Sequence, residues 1–200
     1  HSFPTRRSSD LIVRAALVHY QFETAHPFLD GNGRLGRLLI TLMLINDGVL
    51  HSCLFYPSFQ FKKNRSEYYR QLTSVRERGT YEEWIEFFCN SLLESAKDSV
   101  GSLKNLVDLH NRSTATITEN LGRTAANGQR LLGILEEHPI VDTAFIAAQL
   151  DIGRSTASSL VKSFEELGIL RPLDESRQRY RQYGYEEYLS ILREDAEPIR

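Results

Sequence analysis

The residues best suited to chemistry lie together in residues 26–37, which read HPFLDGNGRLGR. A histidine side chain exchanges protons near neutral pH, so His26 is a candidate general base. Asp30 offers a carboxylate of the kind that divalent cations such as Mg²⁺ prefer. This stretch, called the motif below, therefore places a candidate base and a candidate metal ligand four residues apart.

The second half of the motif predicts an anion site. Gly31, Gly33 and Gly36 lie just ahead of the apolar run 38–45, so a flexible loop leads into the start of a helix. Backbone N–H groups at a helix N-terminus point outward, and glycine lets the backbone approach a phosphate closely. Arg34 and Arg37 add positive charge to the same helical face. With the base and the metal ligand, this pattern indicates phosphoryl or nucleotidyl transfer.

The motif resembles the signature of the Fic (Fido) family, H-x-F-x-[D/E]-G-N-G-R-x-x-R. All eight fixed positions are filled, by His26, Phe28, Asp30, Gly31, Asn32, Gly33, Arg34 and Arg37. The best-known members of that family are protein adenylyltransferases, which move AMP from ATP to a hydroxyl group on a protein side chain. The resemblance covers roughly residues 11–125 and implies a Fic-type helical bundle.

The resemblance also implies roles for His26 and Asp30. It implies that His26 is the catalytic base, which takes the proton of an attacking Ser, Thr or Tyr hydroxyl. It implies that Asp30 is the ligand of Mg²⁺, which accompanies the substrate ATP. The ordinary alternative for Asp30 is a turn residue before a glycine.

The remaining motif residues are predicted to bind the nucleotide. We expect the backbone amides of Gly31 and Gly33 and the side-chain amide of Asn32 to donate to phosphate oxygens. We assign Arg34 and Arg37 to the β and γ phosphates, because two cations at the start of an apolar helix are poorly placed without an anion. Their ordinary alternatives are a turn role for the asparagine and solvated charges for the arginines.

Three other motif residues are expected to be structural, together with one aromatic anchor. Phe28 is predicted to pack the loop into the core, and Leu29, Leu35 and Gly36 are predicted to support it. Pro27 disfavours a helical conformation at His26, so the preceding helix should end near Thr24.

Hydrophobic periodicity predicts the helices that must position the motif. The predicted helices cover residues 11–23, 34–46, 64–76, 84–93 and 103–120, and residues 51–61 are predicted to be a loop. The helix that follows the motif is apolar nearly all round, which favours a central place in the bundle. The start, residues 1–10, is interpreted as non-native or disordered, ahead of a Fic core at 11–125 whose N-terminal part is missing.

A second domain is predicted at residues 128–200. Apolar runs there indicate helices that end at Pro139, at Leu150 and at Leu167, with the turn 151–153 between the last two. A helix, a glycine-containing turn and a second helix are typical of a helix-turn-helix. Two short strands at 169–171 and 179–183 complete the pattern of a small winged helix (α+β). The predicted fold class is therefore mainly α, with a Fic-type bundle followed by a winged helix-turn-helix.

Composition limits the partners and the compartment. The chain has 200 residues and a formal net charge of −2, so no global field draws it to nucleic acid or to an anionic membrane. Two cysteines without CxxC spacing favour a reducing cytoplasm. No apolar run reaches about 18 residues, so no membrane span is predicted.

These observations predict a Mg²⁺-dependent protein adenylyltransferase, which is a nucleotidyltransferase acting on a target protein. Two alternatives stay open: transfer from another phosphate-containing donor, as in phosphorylation or phosphocholination, and a DNA-binding regulator whose Fic portion senses nucleotide. Residues 128–200 hold nine basic and thirteen acidic residues, which argues against strong nonspecific DNA binding. DNA binding nevertheless remains an alternative, because four arginines cluster on the predicted wing: Arg171, Arg177, Arg179 and Arg181. A homodimer is a further alternative.

Overall fold

The computed structural model describes residues 8–51, 55, 57–174 and 181–194. Over these residues the chain is mainly α-helical with one small sheet, which confirms the mainly α part of the predicted fold class. The chain divides into two compact units between Gly101 and Ser102. The predicted domain boundary, at residues 125–128, lies later in the sequence, and the domain assignments stay predictions. No described helix is long and apolar enough to cross a lipid bilayer.

The first unit consists of helices that follow one another with short connections. They are α1 (Ser8–Ala25), α2 (Asn32–Asn46), α3 (Ser58–Lys63), α4 (Arg65–Arg78) and the first half of α5 (Tyr81–Asn120). Two predictions are wrong here. Helix α3 begins inside the predicted loop 51–61, and the two helices predicted at 84–93 and 103–120 are one helix of 40 residues. The β-branched segment 114–118 does not interrupt α5, because tertiary packing of its apolar face outweighs local propensity.

Aromatic packing holds the first unit together. Trp84 and Phe88 of α5 are fully buried and contact Phe61 and Tyr68, which α3 and α4 supply. The Trp84 indole N–H donates a hydrogen bond of 3.0 Å to the carbonyl oxygen of Ala16, which fixes α5 to α1. Burial of several aromatic side chains in one cluster is a large apolar contribution to stability.

A buried histidine connects three helices inside this core. His19 of α1 is fully buried, and its Nδ1 lies 2.9 Å from the carbonyl oxygen of Gly36 in α2. Its Nε2 lies 3.0 Å from the hydroxyl oxygen of Tyr68 in α4. Because a carbonyl only accepts, Nδ1 carries the hydrogen, and the neutral Nε2 accepts from the tyrosine. Burial lowers the pKa of His19 to about 4, and the nearby charge of Arg37 acts in the same direction.

The second unit packs helices against a small antiparallel sheet. After the second half of α5 come a 3₁₀ turn (Gly122–Thr124), α6 (Ala125–Glu137), β1 (Ile140–Asp142), α7 (Thr143–Leu150), α8 (Arg154–Glu166), β2 (Arg171–Pro172), β3 (Gln182–Gly184) and α9 (Glu186–Glu194). The strand order is β1-β3-β2, with Ile140 and Arg171 both paired to Gly184. Helices α7 and α8 are joined by a turn in which Asp151 is left-handed, with φ 54°.

The predicted helices of this unit are present, and two elements were not foreseen. Strand β1 and helix α9 were not predicted, because each depends on pairing or packing with distant residues rather than on a local pattern. The predicted wing tip, with Arg177 and Arg179, lies outside the described residues. The winged-helix assignment stays a prediction.

We expect the first unit to lose stability in mild acid because of His19. Its folded pKa, about 4, lies below the ordinary 6.5, so its contribution is complete above pH 6.5 and disappears as the pH falls toward 4. The loss should reach about 3 kcal/mol at pH 4, by proton linkage. Urea unfolding followed by fluorescence reports this unit, because Trp84 is the chain's one tryptophan.

Two variants isolate the histidine from other titrating groups. His19→Gln should be less stable at pH 7 and should show a shallower decline between pH 7 and pH 4. His51→Gln, which removes an exposed imidazole, should keep the wild-type decline. Equal declines for wild type and His19→Gln would contradict this role.

Candidate functional site

The motif forms the loop between α1 and α2 and the first turns of α2. Helix α1 ends at Ala25, near the predicted end, and the His26 N–H still donates to the carbonyl oxygen of Phe22 at 3.0 Å. His26 is exposed and left-handed, with φ 44°, a conformation that few non-glycine residues adopt. Such backbone outliers cluster at functional sites, where surrounding structure maintains them. The imidazole therefore stands at the solvent side of the loop.

A left-handed glycine turns the loop into α2. Gly31 has φ 82° and caps the helix, and its carbonyl oxygen accepts the Leu35 N–H at 3.0 Å. Among the described residues, no side chain forms a capping hydrogen bond at this end of α2. The helix start is therefore available to an anion, as predicted for a phosphate site.

Asn32 braces the loop from the inside. Its Oδ1 accepts the Phe28 N–H at 2.9 Å, and its Nδ2 donates to the Phe28 carbonyl oxygen at 2.6 Å. Asn32 is only 2% exposed. The structure thus places this amide group against the loop backbone, whereas the sequence predicted that it would face a phosphate.

Both motif arginines lie close to the glycine-rich backbone. A Cβ added to Gly33 would lie 3.2 Å from Nη1 of Arg37, and one added to Gly31 would lie 3.6 Å from Nη2 of Arg34. Arg34 is exposed and Arg37 is half-buried. Two guanidinium groups thus lie at the positive end of the α2 dipole, which favours the binding of an anion there.

Asp30 is the most solvated polar group of the loop. Its side chain is 95% exposed, and its Oδ2 lies 3.5 Å from Nη2 of Arg34, a weak ion pair. Within the described residues no three His, Cys, Asp or Glu side chains gather into a metal cluster. Mg²⁺ is commonly held by one or two carboxylates together with substrate phosphates. A single exposed carboxylate beside an anion site fits that mode of binding.

Helices α1 and α2 cross closely at Gly36. A Cβ at this position would overlap Oε1 of Glu23 and would lie 3.2 Å from Cε1 of His19 and from Cδ1 of Phe22. A side chain here would require the Glu23 carboxylate to move and His19 and Phe22 to yield slightly, so glycine permits the closest approach. Arg14 of α1 also forms an ion pair with Asp47, just beyond the end of α2.

Glu23 is a residue that the sequence argument missed. Its Oε1 is buried and has no hydrogen-bond partner among the described residues. Burial raises the pKa of this carboxyl, while the charges of Arg37 and His26 act in the opposite direction. The one available signal was an acidic residue in the last turns of a helix, three residues before the motif histidine.

Several apolar predictions for the motif region are wrong. Phe28 is 51% exposed and contacts only the ring of Phe22 among the described aromatic pairs, so it does not enter the core. Leu29 is fully exposed. Helix α2 is buried along one face, through Ile40 and Leu44, and not all round, because in the described structure nothing covers its other face. The leucines of that other face, each about half exposed, are Leu35, Leu38 and Leu42.

Sequence comparisons point to the same family. A sequence model of the Fic/DOC family matches residues 1–44. Protein adenylyltransferase fic-1 of Caenorhabditis elegans is 33% identical over 99 residues, which cover 50% of this chain and 18% of that protein. Protein adenylyltransferase Fic of Drosophila grimshawi is 37% identical over 76 residues, or 38% of this chain and 14% of that protein. A probable protein adenylyltransferase of Aquifex aeolicus is 32% identical over 71 residues, which cover 36% of this chain and 20% of that protein.

The chain therefore spans a fifth or less of the length of these curated relatives. The matches and the motif point to the same family, since every fixed position of the motif is filled and the loop leads into the N-terminus of α2. The motif, the geometry of its loop and these relatives together show that the chain is similar to the Fic/DOC family, whose model matches residues 1–44.

Proposed function

We propose that this chain is a protein adenylyltransferase, which transfers AMP from ATP to a Ser, Thr or Tyr hydroxyl of a target protein. The observation that carries the proposal is the placement of an exposed histidine beside an uncapped, doubly cationic helix start. The names of the relatives support the same reaction. A cytoplasmic location is part of this proposal and rests on the cysteine content alone.

The proposed mechanism assigns binding to the start of α2 and proton transfer to His26. The N-terminal amides and the guanidinium groups of Arg34 and Arg37 hold the β and γ phosphates, which directs the α-phosphorus toward the loop. The target hydroxyl oxygen bonds to the α-phosphorus, and the bond from that phosphorus to the bridging oxygen breaks. His26 takes the hydroxyl proton, and pyrophosphate leaves with its charge held by the same amides and arginines.

Asp30 is the proposed ligand of Mg²⁺. When bound, this ion supplies neutralisation of phosphate charge. The exposed Asp30 carboxylate lies within the same loop as the proposed phosphate site, so it would hold the ion beside the phosphates. The Asp30–Arg34 pair is weak enough to open when nucleotide arrives.

The molecule that donates the transferred group is less closely defined than the phosphate site. The residues assigned to the donor bind its phosphates, and none is assigned to the nucleobase or the sugar. Another phosphate-containing donor is therefore the second candidate within the same site. The mass added to a modified target separates AMP transfer from phosphorylation and phosphocholination.

The second unit suggests a recognition role. Helices α7 and α8 pack around a tight turn, and α8 exposes polar side chains near its N-terminus, among them Arg154, Ser155 and Ser158. This geometry favours a helix-turn-helix that binds DNA or docks a protein partner, including a second copy. A mobility-shift titration at low salt distinguishes them, because absence of a DNA complex leaves protein docking.

We expect His26→Ala to abolish transfer while ATP binding stays nearly intact. The variant loses the proton acceptor and keeps the phosphate site, so the rate should fall by a factor of about 100 or more. The measurement uses ATP labelled at the α-phosphate, Mg²⁺ and a cell lysate, with calorimetry for binding. His51→Ala, which removes another exposed histidine, should label at the wild-type rate; a His26→Ala variant that does the same is not consistent with a base at this position.

We expect Arg37→Ala to weaken nucleotide binding. A hydrogen bond to a charged group contributes about 1.5–3 kcal/mol, so the dissociation constant for ATP should rise about 10-fold or more. Arg76→Ala, an exposed arginine of α4, is the matched control and should leave the constant unchanged. Superimposable calorimetric titrations for Arg37→Ala and wild type would remove Arg37 from the phosphate site.

A further inference from the structure

The proposed base and the proposed phosphate site lie at the ends of two different helices. His26 follows the last turn of α1, where its N–H donates to the carbonyl oxygen of Phe22 at 3.0 Å. The phosphate site is the start of α2, with Arg34 and Arg37 in its first two turns. Residues 26–31, which connect the two helices, form no helix or strand. Contacts between α1 and α2 therefore help to set the distance from the base to the phosphates.

A buried side chain of α1 bonds directly to the backbone of α2. Nδ1 of His19 donates to the carbonyl oxygen of Gly36 at 2.9 Å, and Gly36 immediately precedes Arg37. The ring of Phe22, one turn later on α1, approaches the same glycine. A hydrogen bond has a preferred direction as well as a preferred length, so it restricts the rotation of α2 more closely than an apolar contact does.

The imidazole that makes this bond is itself held on every side. His19 is fully buried, and its ring stacks on those of Phe61 and Trp84, with centroids 5.8 and 6.1 Å apart. Its Nε2 lies 3.0 Å from the hydroxyl oxygen of Tyr68, whose donated hydrogen keeps the histidine hydrogen on Nδ1. The donor that faces Gly36 is therefore preorganised in both orientation and tautomer.

We propose that His19 is a positioning residue for the transfer reaction, because its bond to the Gly36 carbonyl sets the distance between His26 and the phosphates at the start of α2. This inference rests on the proposed function, since it concerns the same base and the same phosphates. His19 touches neither substrate and exchanges no proton in the reaction. Its effect on rate can still be large, because a displacement of about 1 Å at the reacting groups can cost a factor of about 100.

Two substitutions separate the hydrogen bond from the size of the side chain. Nδ2 of asparagine lies two bonds from Cβ, as Nδ1 of histidine does, so His19→Asn keeps a donor for the Gly36 carbonyl. His19→Gln carries its amide nitrogen one bond farther out, at the place of Nε2, and loses that donor. Glutamine is nearer to histidine in volume. A role in packing alone therefore makes His19→Asn the more harmful change, whereas the positioning role makes His19→Gln the more harmful one.

The first test measures transfer from ATP labelled at the α-phosphate to proteins of a cell lysate. At saturating ATP, His19→Gln should label about 10-fold or more slowly than wild type, while its dissociation constant for pyrophosphate, measured by calorimetry, changes less than about twofold. His19→Asn should restore most of the rate, and His51→Gln, at an exposed histidine, should keep all of it. Equal rates for the two His19 variants, or a slower His19→Asn, would overturn the positioning role.

The second test needs no enzymatic activity. The ¹⁵N resonances of the His19 imidazole, assigned by their loss in His19→Asn, should show the hydrogen on Nδ1 in the chain without nucleotide. The backbone amide resonance of His26 should stay near its wild-type position in His19→Asn and move in His19→Gln. A hydrogen on Nε2, or a His26 amide that moves equally in both variants, overturns the inference whatever the activity.

Tyr68→Phe decides the question should neither His19 variant fold. This change keeps both rings and removes the hydroxyl that selects the tautomer, so the bond to Gly36 should form in only part of the population and transfer should slow severalfold. A wild-type rate in Tyr68→Phe would then overturn the inference. A wild-type chain that transfers no AMP to any target instead overturns the proposed function, and with it the catalytic use of His19, even where the resonances behave as expected.

Discussion

The close crossing of α1 and α2 at Gly36 is the constraint on which the site depends. The glycine leaves no room for a Cβ, and its carbonyl oxygen is held by buried His19, which is held in turn by Tyr68. Three helices thus meet at one backbone carbonyl. Because Gly36 lies five residues after Gly31, fixing the crossing also fixes where α2 begins and where its free N–H groups point. A larger residue at this crossing would displace the Glu23 carboxylate and press on His19 and Phe22.

The motif divides into residues that build the loop and residues that are free to react. The side-chain amide of Asn32 is hydrogen-bonded to the backbone of Phe28, and Gly31 provides the left-handed turn. His26, Asp30 and Arg34 are exposed, and Arg37 is half-buried. A short loop with an exposed, left-handed histidine needs internal hydrogen bonds to hold a geometry that its sequence alone would not favour.

Much of this arrangement could be predicted from sequence, and the failures share a cause. The helices around the motif have strong apolar periodicity, and the glycines around the start of α2 indicate an anion site by local chemistry alone. The brace made by Asn32, the unpaired oxygen of Glu23 and the exposure of Phe28 depend on which side chains meet in space. No pattern along the chain encodes those contacts. The same holds for β1, which exists only because β3 returns beside it.

The central claim is that the start of α2 binds the phosphates of a nucleotide. NMR titration of the ¹⁵N-labelled chain with ATP and Mg²⁺, and separately with pyrophosphate, tests it most directly. The account predicts that both ligands shift the backbone amides of residues 31–34 most strongly, together with the side-chain resonance of Arg37. Shifts confined to residues 102–194, or a response to ATP that pyrophosphate does not share, would contradict it.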